Sequence, residues 1–174
     1  MFCFFFFRTI LYSLQPILLP KFLMCLYSTL NFTFPVVAKP KEGVASIDVQ
    51  RCNSKTELEN YCERFWQKHP TNPILVEDFL QGPLITLETL GDEENLAALG
   101  GFDVELSEPP FFIETAATWN GDNSTQFKDE CVRQLKAFGV GFGVCHSEFI
   151  ITESGPVLVE INYRSIGDGR EFLL

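Results

Sequence analysis

The chain has 174 residues, enough for one ordinary domain with its own core, and its hydrophobic (46%) and charged (21%) fractions are those of a soluble fold. Its formal net charge of -10 argues against a nucleic-acid partner, because phosphate backbones reward Lys and Arg. The same charge leaves a nucleotide ligand open, since such a site needs only a few cations and usually brings Mg2+ with it.

Residues 1–30 stand apart from the rest. Of the 18 phenylalanines, five fall in the first seven residues, and the apolar run is broken by Arg8, Pro16, Pro20 and Lys21. Those breaks argue against a membrane span, and the Phe run precedes any basic residue, unlike a signal peptide. The segment reads as a hydrophobic leader foreign to the domain, of the kind a mis-set start site or a gene break leaves. A membrane anchor and a genuine structural element are the alternatives.

From near Asn31 the pattern is that of a globular domain. Phe34–Lys39 is a predicted strand ending at Lys39-Pro40, a loop runs through Gly43 to Ser46, and Ile47–Cys52 alternates as a second strand. Asn53 or Ser54 caps a helix through about Gln67, with Ser54 and Glu57 at capping-box spacing, and Pro70 and Pro73 close it. Ile74–Leu80 is a third strand, Gln81-Gly82-Pro83 a turn, and Leu84–Leu90 a fourth strand stopped by Gly91-Asp92. Between Glu93 and Asn123 the pattern weakens to strands at Gly101–Leu106 and Phe111–Thr115. Ser124–Phe138 is a predicted helix with Phe127, Cys131, Leu135 and Phe138 on one face. Gly141–Thr152 and Val157–Tyr163 then form a hairpin about Glu153–Pro156. Mixed helices and hairpins imply an α+β fold. The six cysteines form no CxxC pair and read as reduced structural thiols, hence a reducing, cytoplasmic setting.

The last hairpin carries the most chemistry. A turn centred on Ser154 places Glu148 opposite Glu160, His146 opposite Asn162 and Val144 opposite Arg164. Alternation along a strand then puts His146, Glu148, Glu160, Asn162 and Arg164 on one face, and Phe149, Ile151, Val159 and Ile161 on the other, in a core. Two glutamates directly opposed weaken a sheet. Carboxylate and amide oxygens suit a hard ion such as Mg2+. A solvated polar face is the plain alternative, and a one-residue slip of register would undo the arrangement.

Two further stretches fit a nucleotide. Lys39 ends an apolar strand before a loop holding Gly43 and Ser46, where an ammonium and backbone N–H groups can meet phosphate. Glu77-Asp78-Phe79-Leu80 ends a strand before a Gly-Pro turn and could serve as a hinge with backbone groups for an adenine edge. An ordinary turn and an ordinary strand are the simpler readings of each.

Taken in order, PVVAKP, a glycine-containing loop, ILVEDFLQGP, FGVCHSEF and GPVLVEINYRSIGDG resemble the ATP-grasp superfamily. The resemblance implies two α/β lobes with mostly antiparallel sheets: 31–80 as the phosphate-loop lobe, 81–174 as the metal-binding lobe, and the N-terminal lobe of a full enzyme missing. It implies ATP and Mg2+, with Mn2+ as an alternative. Lys39, Gly43 and Ser46 would contact phosphate. Glu77 would take the adenine side, with backbone contacts from Asp78 and Leu80. Glu148, Glu160 and Asn162 would hold the metal. The spacing of the acids and the Glu-x-Asn-x-Arg run are similar to biotin carboxylase, and Arg164 would steady the transferred phosphoryl. EINYRSIGDGREFLL and EDFLQGPLITLETLGD are similar to stand-alone ligases of siderophore and amino-acid conjugation, the vibrioferrin type in particular. Such enzymes phosphorylate a small carboxylic acid and let an amine or hydroxyl attack the acyl-phosphate. The chain departs from the family in keeping one glycine of its Gly-x-Gly-Ser-x-Gly loop, in carrying Asp48 near the phosphates, and in having Leu84 where a ribose-binding Glu is frequent. A non-catalytic nucleotide-binding fragment and a membrane-attached regulatory domain are the competing readings.

Overall fold

The computed structural model of the chain describes residues 12–14, 32–41 and 46–174, and the described chain divides into two compact units. The first unit runs to Phe79 and includes Ser107–Ile113. Its sheet has the order β1-β4-β2-β3, with β1 at Tyr12–Leu14, β2 at Val36–Pro40, β3 at Gln50–Cys52 and β4 at Ile74–Asp78. All its pairings are antiparallel. The helix α1, Lys55–Lys68, is capped as the sequence implies: Glu57 N–H donates to Ser54 Oγ at 3.2 Å. The returning Glu57 carboxylate accepts from the N–H of Asn53, one residue before the cap, at 2.9 Å. The helix buries Leu58, Tyr61, Cys62 and Phe65 against Val36, Ala38, Cys52, Ile74 and Val76. Residues Ser107–Ile113 return to this unit, where Arg51 N–H donates to the Pro110 carbonyl at 2.9 Å.

Two expectations change here. The predicted second strand shrinks to Gln50–Cys52, because Ser46 (φ 55°) and Asp48 (φ 61°) are left-handed and turn the chain. Residues 1–30 also supply an edge strand, Tyr12–Leu14 on β4, which favours the alternative of a genuine structural element over a segment foreign to the domain.

The second unit comprises Leu80–Leu106 and Glu114–Leu174. Its sheet has the order β10-β9-β5-β7-β8, with β6 also paired to β5. The strands are β5 Leu84–Asp92, β6 Leu96–Gly100, β7 Phe102–Leu106, β8 Glu114–Trp119, β9 Phe142–Thr152 and β10 Gly155–Asn162. The expected strand at Phe111–Thr115 is displaced to Glu114–Trp119, and β6 had no counterpart in the sequence reading. The expected helix over Ser124–Phe138 begins at Asp122 and is interrupted at Phe127, giving α2 (Asp122–Gln126) and α3 (Lys128–Ala137). One sheet face carries Ile85, Leu87, Cys145, Phe149 and Ile151, covered by Cys131 and Leu135 of α3. A fully buried Leu contributes roughly 1.5–3 kcal/mol, against at most about 0.7 per ordinary residue from helix propensity, so packing holds α3 in place. The architecture is α+β with antiparallel sheets, in agreement with the sequence.

Candidate nucleotide and metal site

In the second unit the acid pair stands as the sequence implies, but by a different route. The turn is the two-residue Glu153-Ser154, and near it the ladder pairs Gly155 with Thr152 and Leu158 with Phe149. That register continued would turn Glu160 onto Ser147 and the buried apolar face. A bulge at Val159 corrects it: Glu160 pairs with Glu148 and Asn162 with His146. The bulge also makes Leu158, not Val159, the core residue. Arg164 is a correction to the ladder. Strand β10 ends at Asn162, the Arg164 N–H closes a tight turn onto the Asn162 carbonyl at 2.9 Å, and its guanidinium donates to the Ser165 carbonyl at 2.9 Å. Val144 faces Leu90 instead.

The donors are all oxygen. Glu160 is exposed, and its Oε1 accepts from Asn162 Nδ2 at 2.9 Å, a bond that does not engage the amide carbonyl Oδ1. Glu148 is half-buried and engaged through Oε1. Among the described residues no three His, Cys, Asp or Glu side chains form a metal cluster. Two carboxylates and an amide carbonyl fit Mg2+, an ion that completes its shell with water and substrate phosphates.

Sequence reasoning missed Glu88. It lies on β5 opposite His146 and is 0% exposed. His146 Nδ1 stands 2.6 Å from Glu88 Oε1, and its Nε2 stands 3.4 Å from Glu148 Oε1. Burial opposes a charge on His146, but the Glu148 and Glu88 carboxylates outweigh it and hold its pKa up at about 9. The second Glu88 oxygen accepts from the Ile166 N–H at 3.2 Å. Ile166 is itself buried among Leu84, Phe102 and Val104. A carboxylate inside the otherwise uncharged strand run LITLETL was the available signal.

In the first unit Lys39 and Glu77 form an ion pair at 2.8 Å, both side chains largely shielded. They lie on neighbouring strands, Lys39 opposite Leu75 and Glu77 opposite Val37, on the face away from α1. Asp78 ends β4 opposite Val36, and Leu80 is the first residue of the second unit. Ser46 accepts from Val49 N–H at 3.1 Å through its carbonyl. Gly43 lies outside the described residues. The Asp48 carboxylate is 3.8 Å from His69 Nε2, and its carbonyl accepts from Tyr61 Oη at 2.7 Å.

Residues 32–171 match the ATP-grasp domain. An uncharacterized protein of Sinorhizobium fredii, y4rH, is 32% identical over 144 residues, covering 77% of this chain and 29% of that protein. The L-amino acid ligase of Bacillus licheniformis superposes with a TM-score of 0.71 at 23% identity, over 94% of this chain and 37% of that one. The biotin carboxylase domain of the Hydrogenobacter thermophilus 2-oxoglutarate carboxylase, solved with MgADP and bicarbonate, gives a TM-score of 0.56 at 22% identity, over 80% of this chain and 32% of that one. The chain thus spans about a third of the length of these proteins.

Proposed function

Since the chain belongs to the ATP-grasp family, we propose that it binds ATP with Mg2+ and serves the ligation of a small carboxylic acid to an amine or hydroxyl acceptor. The observation that carries this reading is the Glu148–Glu160 pair, opposed across β9 and β10 with Asn162 beside it. Opposed carboxylates cost a sheet a few tenths to about 1 kcal/mol, which a cation between them would repay. Glu148, Glu160 and Asn162 hold Mg2+, and Mn2+ suits the same oxygens. The cation neutralises phosphate charge when bound. Lys39 meets a phosphate oxygen, kept extended across the sheet surface by Glu77, which serves the adenine side. Gly43 and Ser46 offer backbone groups to phosphate, Asp78 and Leu80 to the adenine edge. Arg164 is free of the ladder and steadies the transferred phosphoryl. The carboxylate takes the terminal phosphoryl group of ATP, releasing ADP, and attack by the acceptor on the resulting acyl-phosphate releases phosphate.

The similarity to an L-amino acid ligase favours an amino-acid-like carboxylate, in siderophore or amino-acid conjugate synthesis. The buried thiols of Cys52, Cys131 and Cys145 and the need for ATP suit the cytoplasm. No helix among the described residues is long and apolar enough to cross a membrane. The test is thermal unfolding of the full chain with ATP and MgCl2 together and apart. Together they should raise the midpoint. Glu160→Gln should abolish most of that rise and leave the metal-free midpoint unchanged or higher. A rise of full size in Glu160→Gln would sink the metal assignment. Dependence of ADP release on both a carboxylic acid and an amine checks the ligase step.

A further inference from the structure

The acid pair is backed by a buried relay that the reading above does not use. His146 sits on β9 two residues before Glu148, and alternation turns both side chains to one face. Its ring is fixed from both sides: Nδ1 is 2.6 Å from Glu88 Oε1, and Nε2 is 3.4 Å from Glu148 Oε1. Glu88 is fully buried, so an unpaired carboxylate there would be strongly disfavoured, and His146 is what pairs it. Glu88 has no freedom to follow the ring, because its second oxygen accepts from the Ile166 N–H. Ile166 in turn is packed into the core with Leu84, Phe102 and Val104, two residues after Arg164. The imidazole is therefore a rigid spacer with one end anchored in the sheet and the other on the Glu148 carboxylate.

A carboxylate has two oxygens, and the contact to His146 takes one of them. We propose that His146 is a positioning residue: anchored by Glu88, it holds one oxygen of Glu148 so that the other is presented to a divalent cation beside Glu160 and Asn162. The inference rests on the metal reading above. It adds that the orientation of Glu148 is set from inside the sheet and not by the ion. Outer partners of this kind typically change metal affinity by about 10-fold to 100-fold when removed.

Two substitutions separate the ends of the ring. Asn at this position offers an amide N–H near the place of Nδ1 and reaches Glu88 but not Glu148. Gln offers its N–H near the place of Nε2 and reaches Glu148 but not Glu88. The experiment titrates the full chain with Mn2+ alone, following free Mn2+ by electron paramagnetic resonance. Thermal unfolding without metal is measured in parallel, with Glu160→Gln as the control. The expected pattern is crossed. His146→Asn should weaken Mn2+ binding about 10-fold or more with a small change in metal-free midpoint. His146→Gln should lower the metal-free midpoint more, yet keep the affinity closer to that of the parent. A purely structural histidine would rank the two variants alike in both measurements. That ranking, or parental affinity in His146→Asn, overturns the proposal while Glu160→Gln still weakens binding. If Glu160→Gln leaves Mn2+ binding unchanged, or the parent binds none, the metal reading itself falls and takes this inference with it.

Discussion

At the scale of single residues, the structure repeatedly lets a side chain from one strand finish another element. Helix α2 begins at Gly121, which has no side chain to cap it. Asp103 on β7 supplies the cap from across the unit. Its Oδ1 accepts from Ser124 N–H at 2.7 Å and its Oδ2 from Asn123 N–H at 3.0 Å. Glycine is required at 121, because a Cβ there would lie 2.5 Å from the Asp103 Cγ. Burial opposes the Asp103 charge, but the N–H groups of Ser124 and Asn123 prevail and hold its pKa below the ordinary 3.8. A depressed folded pKa contributes stability that is present above the unfolded value and is lost as pH falls through the folded one. Asp103→Ala should therefore cost about 1 kcal/mol at neutral pH, as lost caps do. The deficit should narrow as pH drops below the ordinary aspartate range, which denaturant midpoints at neutral and acid pH will show. A deficit independent of pH would mean that packing, not the charged cap, is what Asp103 supplies. Such partners are hard to see in a sequence. Asp103 and Glu88 each look like the polar member of an alternating strand, and only the positions of α2 and of Ile166 show what they meet.

At the scale of elements, the hairpin of β9 and β10 shows how a correct pairing can rest on an incomplete geometry. The sequence reading centred the turn on Ser154 and paired Glu148 with Glu160 in one unbroken register. The ladder instead starts one residue off and shifts between Leu158 and Glu160. The acid pair was legible because two errors offset each other: the turn was placed half a residue late, and the bulge was not foreseen. Nothing in the run Val157-Leu158-Val159 marks a bulge, since all three are apolar and β-compatible. What selects it is tertiary, the burial of Leu158 and Ile161 beside Phe149 while a charged Glu160 stays exposed. Val159 is then the extra residue, and its deletion has a definite consequence. The shortened strand would keep Leu158 opposite Phe149 and Glu160 opposite Glu148, now in a regular ladder. We expect the deletion to retain the midpoint rise with ATP and MgCl2, measured by thermal unfolding. Loss of the rise in a chain that still folds would show that the local bend at Val159, and not the pairing alone, aims Glu160. Of the strands that the sequence did not yield, β8 is largely exposed, and β6 is a short run of small and apolar residues, LAALG, with no polar alternation. Their pairing to β5 and β7 fixes them, and that information is not local.

At the scale of the whole molecule, each unit has cores of its own, and the family order of motifs maps onto both. The first unit holds Lys39 and Glu77, and the second holds Glu148, Glu160, Asn162 and Arg164. That order, more than any single motif, made the fold readable: each piece alone has an ordinary structural explanation. The cysteines among the described residues follow the same division, Cys52 and Cys62 in the first unit's core, Cys131 and Cys145 in the second's. All four are buried, and Cys52, Cys131 and Cys145 carry free thiols. Burial pushes the Cys52 thiol up to about 11 and the Cys131 thiol up to about 12, and it raises Cys145 as well. A thiol reacts as its thiolate, so both low access and raised pKa protect these positions. Brief alkylation of the native chain at neutral pH, read by peptide mass spectrometry, should leave Cys52, Cys62, Cys131 and Cys145 unmodified. All four should be modified fully in denaturant. Because the protection comes from two separate cores, it also reports on them separately. Leu58→Ala removes a fully buried side chain beside Cys62 and should cost about 2–5 kcal/mol. Its first effect should be faster labelling of Cys52 and Cys62. If any of the four labels rapidly in the unaltered chain, that core opens far more readily than its packing implies, and the assignment of the cysteine as an inert hydrophobe is wrong for that unit.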